Sequence, residues 1–322
     1  VLATPASYNT PLGVARAINE RLGPQHRVLV VEMGAYAVGD IRELAAFAGP
    51  TIGVLTAIGA AHLERFGSLE AISQAKYELI AALPSDGVAV MNSDDPKVRV
   101  LAEATDHVRV LRYGLERAGR PDVTARNIEA VAQGTTFDVL DEERNSIRVT
   151  TRLLGRFSVS HVLAAVAVAR ALGRPLTDLT EAIEQLEPTE HRLQLIQGSG
   201  GVTVIDDAYN SNPDGAAAAL EVLAGRPGNK KVVVTPGMVE LGPLQFESNK
   251  EFGRSAAGVA DTLIVVGTTN RDALVAGAEA ARNGCQVVIV ESLDEATEEL
   301  KSILKPGDVV LFENDLPDQY DT

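Results

Sequence analysis

The sequence predicts an α/β fold in two domains, and three observations carry that expectation. From Gly201 onward, short apolar runs alternate strictly with amphipathic helical stretches, which means a parallel sheet covered on both faces. The first half shows a looser version of the same alternation. The composition, 45% hydrophobic with no Trp and abundant Val and Ala, suits buried strands and helices lying close on a sheet. A length of 322 residues fits two domains.

Residues 11–22 carry apolar positions at helical spacing, and 28–31 form an apolar run ending at Glu32 and followed by Gly34. This reads as a buried strand with an acid at its carboxyl end. Residues 40–47 are helical, 51–57 a strand, 69–83 an amphipathic helix and 88–91 a strand closed by Asn92-Ser93-Asp94-Asp95-Pro96. Across 108–150 short alternating runs suggest β-hairpins, and 159–172 and 176–186 are helical. In the second half, strands are expected at 202–205, 231–235, 262–266, 286–290 and 309–312. Helices are expected near 214–224, 247–259, 271–283 and 293–304. The polar junction Glu187-Pro188-Thr189-Glu190 divides the chain into domains 1–187 and 188–322.

The formal charge of -15 argues against a general nucleic-acid or anionic-membrane binder, each of which needs a basic surface. A nucleotide is still admissible, because a few local donors hold phosphates. The single Cys285 makes no internal disulfide, which fits the cytosol. At the start of an apolar strand it reads as a structural thiol. No apolar stretch reaches the roughly 18 residues of a membrane span, and no signal peptide is visible. Residue 1 is Val inside a polar, loop-like segment, so residues are expected upstream.

Four places carry chemistry. Glu32, at the carboxyl end of a strand, is placed to hold Mg²⁺, although a solvated strand end reads the same way. His62 and Glu64 follow the small residues Gly59-Ala60-Ala61, which let backbone pass close to a ligand; a structural histidine is the alternative. Lys76 lies on the 69–83 helix near core positions Ile72 and Leu79. Partial desolvation would lower its pKa and make the amine reactive, whereas a snorkelling lysine would keep its charge in water. Last, Asp206-Asp207-Ala208-Tyr209-Asn210-Ser211-Asn212-Pro213 is a dense polar loop after the first strand of the second domain. Helix capping and Asx turns explain part of it, but not so many polar groups, so a ligand site is the favoured reading. No G-x-x-x-x-G-K-[ST], H-E-x-x-H, G-x-S-x-G or Cys/His metal spacing occurs.

Together these motifs resemble the central and C-terminal domains of the Mur ligase family, in the expected order over nearly the whole chain. Val31-Glu32-Met33-Gly34-Ala35 resembles the family's strand with a Mg²⁺-binding glutamate. The run from Ala61-His62-Leu63-Glu64 to Ser68 resembles the segment with a metal-binding histidine, and Ala75-Lys76-Tyr77-Glu78 the segment whose lysine is carbamylated. The Asp206–Pro213 loop and Met238-Val239-Glu240-Leu241-Gly242 are similar to the D-D-x-Y-N-A-N and M-x-E-L-G runs of the branch that adds D-alanyl-D-alanine. The resemblance implies an ATPase-like domain followed by a Rossmann-like parallel-sheet domain. It implies ATP-dependent amide bond formation through an acyl phosphate, from a UDP-linked muramoyl peptide and D-alanyl-D-alanine or a similar amine. It implies Mg²⁺ held by Glu32, His62 and carbamylated Lys76, with Arg192 reaching the γ-phosphate. Asp207 and Asn210 would face the nucleotide and Asn9 the substrate.

The sequence also departs from the family. The phosphate-binding loop is expected upstream of Val1, so the 322 residues alone are expected to turn over ATP very poorly. Where the family has G-R-H-N-x-x-N, this chain reads Gly155-Arg156-Phe157-Ser158-Val159-Ser160-His161, so His161 takes the adenine position. Where the family has a cationic K-G-S-R, it reads Glu313-Asn314-Asp315-Leu316-Pro317-Asp318. A ligase for another carboxylate and amine, or a non-catalytic nucleotide- or precursor-binding paralogue, remain as alternatives.

Overall fold

The computed structural model describes residues 1–5, 7–116 and 119–315. They divide into two compact units. One comprises Val1–Ile58, His62–Thr124 and Ala164–Arg174. The other comprises Gly59–Ala61, Ala125–Leu163 and the chain from Pro175 onward.

In the first unit β1 (Leu2–Ala3) pairs in parallel with β2 (Leu29–Val30). A three-stranded parallel sheet follows, from β3 (Ile52–Leu55), β4 (Val88–Asn92) and β5 (Arg109–Tyr113), in that order. Around these strands lie α1 (Pro11–Arg21), α2 (Asp40–Ala48), the single turn α3 (Leu63–Phe66), α4 (Leu69–Ala81) and α5 (Pro96–Ala104). The helices start where the sequence supplies caps. Thr10 accepts from Gly13 N ahead of Pro11, Ser68 from Ala71 N, and Asp95 from Lys97 N and Val98 N ahead of Pro96. Two expectations are corrected. Residues 109–113 belong to the parallel sheet rather than to a hairpin, and α5 follows the segment read as a strand-closing loop.

The second unit opens with an antiparallel hairpin region, β6 (Thr124–Val131), β7 (Gly134–Leu140) and β8 (Ser146–Thr151). Helix α6 (Gly155–Ala171) begins four residues earlier than its apolar pattern indicates. Gly155, at φ +74°, makes the left-handed turn into the helix, and its N–H donates to Thr135 Oγ1 at 3.0 Å. A 3₁₀ turn (Leu176–Leu179) and α7 (Thr180–Glu184) complete the segment read as one helix.

Among the described residues the large sheet has six strands. Five are parallel: β10 (Thr203–Asp207), β11 (Lys231–Thr235), β12 (Thr262–Val266), β13 (Gln286–Val290) and β14 (Val309–Glu313). The sixth, β9 (Gln194–Gln197), runs antiparallel at the edge beside β10. The order is β13-β12-β11-β14-β10-β9. Helices α8 (Pro213–Gly225), α9 (Gln245–Val259) and α10 (Arg271–Ala281) cover one face, packing on Ile205, Val233, Leu263, Val265 and Leu311. On the other face α11 (Leu293–Ile303) packs Ala296 and Leu300 against Val232, Val234, Ile264 and Val310. Helices α9 and α10 cross closely, because an added Cβ at Gly277 would stand 1.9 Å from Lys250 O. The half-buried Cys285 lies just before β13, and burial pushes its thiol up, away from nucleophilic reactivity.

Candidate active site

In the first unit Glu32 lies just past β2, His62 ahead of α3 and Lys76 within α4. Glu32 follows β2; its N–H donates to Thr4 Oγ1 at 3.3 Å, and its carboxylate accepts from Asn9 Nδ2 at 3.3 Å. Gly34 N donates to Asn9 O at 2.9 Å, so Asn9 is tied to the Glu32–Gly34 segment by its side chain at Glu32 and by its backbone at Gly34. An added Cβ at Gly34 would press on the Asn9 amide at 3.0 Å. His62 sits at φ +57° ahead of α3, a conformation uncommon outside glycine. Its ring meets Tyr36 edge-on at 5.1 Å, and Arg65 stacks over the same tyrosine at 4.6 Å.

Lys76 projects from α4 between buried Ala75 and half-buried Tyr77. Burial lowers the pKa of its amine, while the nearby Asp95 carboxylate acts the other way. Asp95 is itself held, accepting from Ile58 N at 3.0 Å as well as capping α5. The sequence reading missed this partner, because Asp95-Pro96 reads as part of a strand-closing loop rather than as a helix cap. Among the described residues no group of three His, Cys, Asp or Glu side chains stands ready to hold a metal.

In the second unit the turn before β9 is fastened to the carboxyl end of β10 and the loop after it. His191 Nδ1 lies 2.8 Å from Asp206 Oδ2, Arg192 Nη1 donates to Asn210 O at 2.9 Å, and Leu193 N donates to Asp207 Oδ1 at 3.0 Å. The Arg192 guanidinium also stacks over Tyr209 at 4.7 Å. His161, on α6, packs edge-on against Phe157 at 4.6 Å. Burial first, and the Arg192 charge second, lower its pKa and hold its ring neutral at pH 7. Arg192, Asp207 and Asn210 are thus brought together, with His161 near enough to feel the Arg192 charge.

Strand alternation gives the two neighbouring acids different faces. Asp207 lies on the α8–α10 side with Ile205, and burial pushes its carboxyl up to about 6. Its register partner Glu313 is fully buried and pushed up to about 7, by burial first and by the Asp207 charge. Glu313 accepts from Ser211 Oγ and, at 3.1 Å, from Thr235 Oγ1. The network runs on through Gly237 N, which donates to Thr235 Oγ1 at 2.9 Å, to Asn249, whose side chain bonds both Met238 N and Met238 O. The Met238–Gly242 segment is therefore held from below by a buried asparagine. Of the acidic loop read after β14, Glu313, Asn314 and Asp315 are described; Leu316, Pro317 and Asp318 lie outside the described residues.

Asp206 lies on the opposite, α11 face with Val204. There a cavity of about 350 Å³ opens at the carboxyl ends of β11–β14, floored by Val234, Val266 and Phe312 and rimmed by Thr268, Ser292 and Asp315. A shallower hollow adjoins it across Phe312, Leu293 and Asp315, lined also by Asp206, His191 and Tyr209. Ligands of parallel α/β sheets collect at this edge. The His191–Asp206 pair was not among the residues singled out from sequence. The sequence offered Asp206 within the polar loop and His191 beside Arg192, but nothing that joins the two.

With this geometry in view, comparison with known proteins is decisive. The Mur ligase middle domain matches residues 1–169, and the Mur ligase, glutamate ligase domain matches residues 191–313. The chain belongs to the Mur ligase family. It is 34% identical over 331 aligned residues to the UDP-N-acetylmuramoyl-tripeptide–D-alanyl-D-alanine ligase of Mycobacterium tuberculosis, covering 97% of this chain and 64% of that relative. It is 32% identical over 268 residues to the same-named ligase of Escherichia coli, covering 83% of this chain and 58% of the relative. Among solved structures it is similar to MurF from Acinetobacter baumannii, with a TM-score of 0.86 and 29% identity over 97% of this chain and 67% of that one. MurF from Thermotoga maritima in complex with ADP gives 0.85 and 27%, over 98% of this chain and 70% of that one. This Mur ligase chain thus spans less than two thirds of the length of the first curated relatives it matches. Among its described residues no helix is long and apolar enough to cross a membrane.

Proposed function

We propose that the intact protein is an ATP-dependent amide ligase of peptidoglycan-precursor synthesis, working in the cytoplasm. In this reading it adds D-alanyl-D-alanine to a UDP-linked muramoyl tripeptide. The observation that carries the reading is the loop Asp206–Pro213 fastened to Arg192 beside His161, in a chain 34% identical to a ligase of that name. The domain boundary at 187–190 belongs to the same proposal.

In this reading ATP phosphorylates the muramoyl peptide's carboxylate, and the amine then displaces phosphate. Arg192 offers its guanidinium to the γ-phosphate, with Tyr209 holding the guanidinium plane. The neutral His161 ring faces adenine, Asp207 and Asn210 flank the nucleotide, and Asn9 holds the Glu32 carboxylate while meeting substrate. The donor set of Glu32, His62 and a Lys76 carbamate fits Mg²⁺. A hard cation takes carboxylate and carbamate oxygens, and the desolvated Lys76 amine is the kind that accepts CO₂ at neutral pH. Bound Mg²⁺ would neutralise phosphate charge as it moves to the carboxylate.

One observation favours a second reading, a ligase for a different amine. The position expected to be a lysine in a cationic loop is the buried acid Glu313. A single assay separates them. The intact protein is incubated with ATP, UDP-muramoyl tripeptide and D-alanyl-D-alanine, and products are weighed by mass spectrometry. The first reading expects ADP and a precursor heavier by the dipeptide. ADP release that other amines stimulate, with no dipeptide incorporated, gives the second reading.

A further inference from the structure

The pairing of His191 with Asp206 has no part in the function proposed so far, and its geometry is that of an oriented base. We propose that His191, held by Asp206, takes the proton from the incoming amine, which is seated in the cavity at the carboxyl ends of β11–β14. This rests on the ligase reading and deepens it.

Four features support the assignment. The His191 backbone adopts φ +57° and Leu193 φ +47°, left-handed conformations that cost energy in residues with a Cβ and collect where a side chain must be aimed. The turn is over-determined, because three successive residues each bond to the carboxyl end of β10 or to the loop that follows it. The Asp206 carboxylate is fixed from its other oxygen by Ala208 N at 3.2 Å. With Nδ1–H donating to Asp206, the neutral ring keeps its lone pair on Nε2. Finally, the His191 side chain is more than half exposed and lines the hollow that continues into the 350 Å³ cavity. A nucleophile–base–orienter arrangement needs the base reachable and its partner fixed, and both conditions are met.

The charged and titratable groups near the ring are Asp206, across the hollow Asp315 and Tyr209, and the neighbouring Arg192 guanidinium, which stacks on Tyr209 and donates to Asn210 O. The balance of acids favours an ammonium in the hollow. The step balances as follows. The ammonium gives one proton to Nε2, leaving a neutral amine and an imidazolium stabilised by Asp206. The amine lone pair forms the C–N bond to the acyl carbon, and the C–O bond to phosphate breaks. The second nitrogen proton leaves with the departing phosphate, and the imidazolium returns its proton to water.

The test uses the intact protein and two acceptors, D-alanyl-D-alanine and hydroxylamine. Hydroxylamine is a weak base that is largely unprotonated at neutral pH, so it attacks an acyl phosphate without help. His191→Asn preserves the bond to Asp206, since the Asn amide Nδ2 replaces ring Nδ1 and Asn tolerates the left-handed turn. The expected result is a fall of roughly 10²-fold or more in amide formation, the usual contribution of a general base. Hydroxamate formation should fall far less, so the hydroxamate-to-amide ratio rises about 10²-fold. The variant's residual amide rate should climb with pH as free amine accumulates. Asp206→Asn should shift the ratio in the same direction. Equal falls in both products would make His191 a structural pin and overturn the inference, as would an unchanged amide rate. Wild-type protein that forms neither product would overturn the ligase reading itself, and the inference with it.

Discussion

Replacing Glu313 by Gln should stabilise the protein at neutral pH and remove a slope from its pH–stability curve. Glu313 is fully buried, and its pKa rises from the ordinary 4.5 to about 7 in the fold. The raised folded pKa means the native state holds the proton more tightly than the unfolded chain. The protonated carboxyl's stability is complete below pH 4.5. It is lost as pH climbs towards 7, because the unfolded chain ionises freely while the buried group resists. A shift of that size corresponds to about 3 kcal/mol at 1.36 kcal/mol per unit. Gln keeps the shape and stays neutral, with an amide to meet Ser211 Oγ and an oxygen to accept from Thr235. Urea unfolding at pH 5 and pH 8 should therefore show variant and wild type close at pH 5, and the variant ahead by about 3 kcal/mol at pH 8. The slope due to Asp207, whose carboxyl is raised to about 6, should persist in both. A difference between the proteins that is the same at both pH values would falsify the buried, proton-holding Glu313.

Three further outcomes are expected. Lys76→Ala should abolish ligation by the intact protein, with partial recovery in short-chain carboxylates that replace the lost anionic ligand, while Lys76→Arg recovers nothing; an unchanged rate in Lys76→Ala refutes the carbamate assignment. Gly277→Ala, whose new methyl would stand 1.9 Å from Lys250 O and 2.8 Å from Arg254 N, should cost about 2–3 kcal/mol by urea titration, since backbone must move; a loss below about 0.5 kcal/mol would mean α9 and α10 are not in close contact. Asn249→Ala leaves Met238 N and O without their partners and should cost about 3 kcal/mol by the same titration, more than a surface Asn→Ala elsewhere.

The second half of the fold was legible because its central strands are buried on both faces. Runs such as Lys231–Thr235 and Thr262–Val266 carry unbroken apolar centres, and their predicted bounds match. Edge strand β9 was not legible, since Gln194 and Gln197 bracket only two apolar residues. Strand β5 hides in the same way, because its alternating pattern, with Arg109 and Arg112 among apolar neighbours, also suits a hairpin. Helix α5 was hidden by its own cap, since Asp95-Pro96 looks equally like the end of a loop. At the candidate site, the sequence named single residues but not the partners the fold gives them. Nothing in the sequence pairs Lys76 with Asp95, or Glu313 with Ser211 across 102 positions. The adjacent Asp206 and Asp207 look alike on paper, and only the pleat of β10 sends one to His191 and the other to Glu313's face.

The central claim is that a carboxylate is activated as an acyl phosphate before the amine attacks. The most direct measurement supplies the intact protein with ATP, amine and a precursor whose carboxylate carries ¹⁸O, then weighs the phosphate released. One labelled oxygen per phosphate, formed in step with amide, is the predicted result. Phosphate that is unlabelled while amide forms would contradict the account, because the bond to the carboxylate oxygen would then never have been made.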